Sequence, residues 1–147
     1  MKSVNEWKQG GEIYLWRYLG RSRNFLGWHI TGTKEGCLSL VELLDRFEFE
    51  GERRHRTIQL SQPSTDQLAV PNNANADWTS AQKLKIEYHP GSSEWRFPKD
   101  SNPAVLQIGQ EWLEELRNGL LGIPEGKGDY SIGTDKDASQ RLWFWWT

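Results

Sequence analysis

Cysteine is almost missing from this chain. Cys37 stands alone, which excludes an intramolecular disulfide and half of a CxxC metal site. Long apolar runs are missing too: no stretch approaches the roughly 18 residues that a membrane span needs. The opening MKSVNEWKQGGE has no apolar core of a signal peptide, so the expected compartment is cytoplasmic. Neither sign of charge dominates, with a formal net charge of −2 and a pI near 5.9. General attraction to nucleic acid or to an anionic membrane is therefore not expected, and a basic site would have to be local. The three histidines, His29, His55 and His89, are scattered, and no run carries the spacing of a Walker loop, a dinucleotide fingerprint or an EF-hand. Sequence alone implies no cofactor and no metal, and leans away from an enzyme.

What the chain does have is ordinary globular character and an excess of tryptophan. Its 147 residues are 36% hydrophobic and 26% charged, and nine are Trp. A chain of this length and make-up buries enough surface to fold as a single domain without a staple.

Residues 12–18 (EIYLWRY) are aromatic and β-branched, and a polar turn leads to a second such run at 25–30, which predicts a hairpin. Cys37, Leu40, Val41, Leu44 and Phe47 recur at three- and four-residue spacing, which predicts a helix, with Ser39 and Glu42 as a capping box. RHRTIQL at 54–60 alternates as a strand does. Residues 62–81 carry the Pro, Asn and Ser of a connection. KLKIEYH alternates again, and Trp95 and Phe97 beyond the HPGSS turn predict a partner strand and a second hairpin. Val105, Ile108, Trp112, Leu113 and Leu116 read as the stripe of a second helix starting at Asn102–Pro103. RLWFWWT closes the chain as a strand.

The expected fold is a single α+β domain, with a mostly antiparallel sheet of about six strands and two amphipathic helices. The order strand, strand, helix, strand comes twice, which raises a ββαβ duplication with half-repeats at 12–61 and 82–147 joined by the linker at about 62–81.

Functional expectations rest on surfaces. Along the last strand Leu142, Phe144 and Trp146 point one way and Trp143 and Trp145 the other, so both faces are apolar. Either the strand is central and covered on both sides, or Trp143 and Trp145, with Trp16 of the first hairpin, form a ledge for a partner. The leading expectation is a non-enzymatic module that binds another protein through such aromatics, of an inhibitor or immunity type. The alternative is nucleic-acid or nucleotide binding through Arg21, Arg23, Arg53, Arg54 and Arg56, against which Glu48, Glu50 and Glu52 count. A third reading is a small hydrolase whose site assembles from distant residues, with Cys37 and His29 as its one nucleophile–base couple.

Overall fold

The computed structural model describes residues 2–19, 26–71 and 77–146. Strands β1 (Ile13–Tyr18) and β2 (Trp28–Gly32) pair antiparallel, with Leu15 opposite Ile30 and Trp16 opposite His29. Both expected strands and their pairing are present.

Helix α1 (Lys34–Glu50) buries Cys37, Leu40, Val41, Leu44 and Phe47, the stripe that the sequence spacing marks. Its cap is Thr33, whose hydroxyl accepts from the Gly36 N–H at 3.0 Å. Ser39 lies inside the helix, where its hydroxyl accepts from the Gly10 N–H instead. The helix stops at Gly51, whose φ of 65° places it in the left-handed region that glycine adopts without cost.

Strand β3 (Arg54–Gln59) follows, then a short helix α2 (Thr65–Ala69) closed by a Ser64/Gln67 capping box, then β4 (Trp78–Ser80). The stretch expected as plain connection therefore carries a helix and a strand. Strands β5 (Lys83–His89), β6 (Trp95–Arg96) and β7 (Ala104–Gly109) lead to helix α3 (Leu113–Gly122) and to β8 (Tyr130–Ile132) and β9 (Leu142–Phe144).

Instead of one sheet of about six strands there are two, a five-stranded sheet ordered β4-β1-β2-β9-β8 and a four-stranded sheet ordered β3-β5-β7-β6. The pairs β2–β9 and β5–β7 are parallel, and the other pairings between named strands are antiparallel. The second expected hairpin does not form: β5 pairs with β3 and β7, and β6 pairs with β7. Val105 and Ile108 belong to β7 rather than to a helix. Their three-residue spacing fits a helix, but Ala104, Leu106 and Ile108 are the buried positions, at the strand period.

Residues 13–59 run β1-β2-α1-β3, the expected order, whereas residues 83–144 run β5-β6-β7-α3-β8-β9. The two stretches exchange strands. β3 joins the sheet of β5 to β7, while β8 and β9 join that of β1 and β2.

Both sheets, α1 and α3 share one core, in which Phe47 of α1 stacks on Tyr88 of β5 at 5.6 Å. A second, smaller cluster lies on the other face of the five-stranded sheet. Trp16, Leu68 and Trp145 are buried there, with Tyr14, Tyr18, Val70, Trp78 and Trp143 packed against them. Among the described residues no helix is long and apolar enough to cross a membrane.

Candidate functional site

The second cluster places the tryptophans that the sequence singles out. Trp16 is 0% exposed and Trp145 2%, while Trp143 is half-buried. Leu68 and Val70, in and just after α2, lie against them. Alternation along β1 sends Tyr14, Trp16 and Tyr18 to this face and Ile13, Leu15 and Arg17 to the main core side.

His29 sits in the middle of the layer. Its ring stacks with Trp16 at 5.7 Å, Trp145 at 6.0 Å and Trp143 at 6.4 Å, and meets Tyr18 edge-on at 4.9 Å. Trp145 Nε1 donates to His29 Nδ1 at 2.8 Å, Trp143 Nε1 to the Leu26 carbonyl at 3.0 Å, and the Tyr18 hydroxyl to the Leu68 carbonyl at 3.3 Å. Burial raises the Tyr18 hydroxyl above the usual phenol value.

Of the five arginines in the alternative reading, Arg21 and Arg23 lie outside the described residues. Arg56 reaches back to the N-terminal segment, donating to the Val4, Asn5 and Trp7 carbonyls at 3.2, 3.4 and 2.9 Å, with its guanidinium 5.5 Å from the Trp7 ring centre. Arg54 pairs with Glu50 at 3.5 Å and with Glu52 at 2.7 Å. Arg53 is exposed and has no ion pair among the described residues.

The structure does not bring Cys37 and His29 together. Cys37 is in the main core, where burial pushes its thiol up to about 12, and His29 faces the aromatic layer across the sheet. His89 is engaged by Glu94 at 2.8 Å, and Asp45 and Glu48 accept from Arg117. Among the described residues no group of three or more His, Cys, Asp or Glu side chains is placed to hold a metal ion.

What the fold does assemble is a polar cleft of about 460 Å³ between β4 and the loop at 99–102. Arg17 of β1 and Trp28 of β2 form its inner wall, Thr79 and Ser80 of β4 one side, and Lys99, Asp100, Ser101 and Asn102 the other. A smaller hollow of about 160 Å³, lined by Tyr18, Leu19, Leu26, Gly27 and Ser139, shares Arg17 and Lys99 with it. These two cations therefore stand where the hollows meet.

Trp28 is 3% exposed and stacks on Phe97 at 5.0 Å, and the Arg17 guanidinium carbon is 5.9 Å from its ring centre. Among the described residues neither Trp28 Nε1 nor Arg17 Nε has a hydrogen-bond partner, though both atoms are buried. Such a donor costs about 1–3 kcal/mol when left unmet, and a native fold tolerates few of them. Arg17 and Lys99 have no ion pair among the described residues, although Asp100 lines the same cleft. At the rim Leu19 is 39% exposed and Leu26 45%.

Sequence reasoning missed this site, although one signal for it was present. Arg17 occupies an inward position of β1, in line with Ile13 and Leu15, where the period of the strand calls for an apolar residue. Lys99 carries no comparable signal. No protein-family model, curated protein or solved structure matches the chain.

Proposed function

We propose that this chain is a non-enzymatic binding module that recognises another protein, of an inhibitor or immunity type, through the face holding Arg17, Lys99, Leu19 and Leu26. The observation that carries this is the combination at one place of two cations with no ion pair among the described residues and two exposed leucines around a ready-made cleft. Protein-binding patches join an apolar anchor to charges that set orientation and encounter rate.

This surface differs from the tryptophan ledge expected from sequence. Trp16 is followed directly by Arg17, and Tyr18 of the aromatic layer also lines the smaller hollow.

The test compares proteins captured from cell lysate by the immobilised native chain and by the Leu19→Ser/Leu26→Ser double variant, with nuclease-treated lysate in parallel. A protein retained by the native chain and lost by the variant, with an unchanged melting curve, is the expected result. Identical retention by both chains would discard this face.

A further inference from the structure

We infer that the Arg17–Trp28–Lys99 cleft is a carboxylate receptor, into which a protein partner inserts an acidic side chain. This rests on the protein-binding reading above and names the chemistry by which the partner is recognised.

Arg17 supplies a planar fork of donors suited to a carboxylate. The indole lies beneath the guanidinium, with its ring held by Phe97. A cation over an aromatic face keeps its N–H groups available to a ligand. Lys99, on the opposite wall, adds a second positive charge from a mobile stem, and its field contributes to holding the Asp137 carboxyl below its usual value, behind the hydrogen bonds from Ser139 and Gln140.

Hydroxyl and amide groups of Thr79, Ser101 and Asn102 line the walls. The rim is apolar on the side of Leu19 and Leu26. An acidic residue flanked by apolar neighbours matches this layout.

A nucleic-acid strand matches it less well. It would bring a row of phosphates to a site whose lining holds only two cations, enough for a single acidic group. Phosphate is the competing ligand that the experiment must separate.

The experiment follows indole N–H signals by NMR in the nitrogen-15-labelled chain, with the Trp28 signal assigned from Trp28→Phe. Four probes are titrated separately: a blocked peptide of alternating glutamate and leucine, its glutamine counterpart, inorganic phosphate, and an oligothymidylate. The glutamate peptide should shift the Trp28 signal, with an affinity that falls as salt rises, and the glutamine peptide should leave it in place. Arg17→Gln should abolish the shift. Should that variant not fold, Lys99→Glu, on an exposed loop, carries the test and should weaken the peptide by about ten-fold or more.

Equal shifts from both peptides, no shift from either, or a shift untouched by Lys99→Glu would each overturn the assignment. A larger response to phosphate or oligothymidylate would reassign the cleft to phosphate. If Lys99→Glu still retains the captured partner while Leu19→Ser/Leu26→Ser does not, the protein-binding face stands and the carboxylate receptor falls.

Discussion

Trp145 Nε1 donates a hydrogen bond of 2.8 Å to Nδ1 of His29, and both side chains are sealed inside the aromatic layer. An indole N–H can only donate, so Nδ1 of His29 is an acceptor and carries no proton in this arrangement. The pair ties β2 to the end of the chain beside the parallel β2–β9 ladder, which Trp145 extends by donating its backbone N–H to the Ile30 carbonyl.

His29→Phe keeps an aromatic ring in the stack but removes that acceptor. It should cost about 1–3 kcal/mol, because the Trp145 N–H is then buried without a partner. In a double-mutant cycle with Trp145→Phe, the two losses should fall short of additive by roughly 1 kcal/mol. Strict additivity in urea unfolding would mean that the bond contributes no coupling.

Trp143 of β9, half-buried, and Trp145 just beyond it, buried, should part company on truncation. Trp145→Ala should destabilise by about 3–5 kcal/mol, and Trp143→Ala by clearly less, since only the former is sealed. Deleting residues 142–146 should abolish the cooperative melting transition, because Leu142 and Phe144 also belong to the main core. A truncated chain that melts as the native one does would remove β9 from the sheet.

Cys37 predicts an alkaline limit. Its thiol is pushed from 9.0 to about 12 by burial, so the unfolded chain ionises first. The sign follows from linkage: the stability this group supports is complete below pH 9 and is lost as pH rises towards 12, by up to about 4 kcal/mol at roughly 1.4 kcal/mol per unit. Cys37→Ala should flatten the pH dependence, most visibly between pH 9 and 10, before the tyrosines with raised values, among them Tyr18 and Tyr88, begin to act. Thiol reagents should label the native chain slowly and the urea-unfolded chain fast. Rapid native labelling near pH 8 would contradict the burial.

Gly119 tests the contact between α3 and the sheet. A Cβ there would run into the Phe144 ring. Alanine is the better helix former by about 1 kcal/mol, yet Gly119→Ala should lower stability by roughly 1–3 kcal/mol through overpacking. Asn118→Ala, at the exposed neighbouring position, should be neutral or slightly stabilising. A rise in melting temperature for Gly119→Ala would show that α3 sits further from β9.

Arg56 and Arg53 separate scaffold from surface. Arg56→Ala should destabilise, because it releases three carbonyls and the Trp7 ring, whereas Arg53→Ala should stay within about 0.5 kcal/mol of the native chain. Nucleic-acid binding at low salt that disappears with Arg53→Ala alone would restore the phosphate reading of that segment.

The sequence by itself determined the elements whose signals are local. The spacing of Cys37, Leu40, Val41, Leu44 and Phe47 can be satisfied only by one face of a helix, and the alternation in β1, β5 and β9 only by strands. It also showed that β9 is apolar on both faces. Only the tertiary structure decided what covers each face, because backbone donors and acceptors are alike in every strand and pairing partners are chosen by packing at long range. Thus β3 crosses to β5, β9 lies parallel to β2, and α2 closes over Trp16 and Trp145. The stripe through Val105 and Ile108 misled for the same reason: three-residue spacing over so short a run fits a helix, and β5 as a parallel neighbour settled it as a strand. The cleft belongs wholly to this second level. Arg17 is legible as a charge at an apolar position of its strand, but its meeting with Lys99 depends on how β4 and the loop at 99–102 are brought together, which no local pattern encodes.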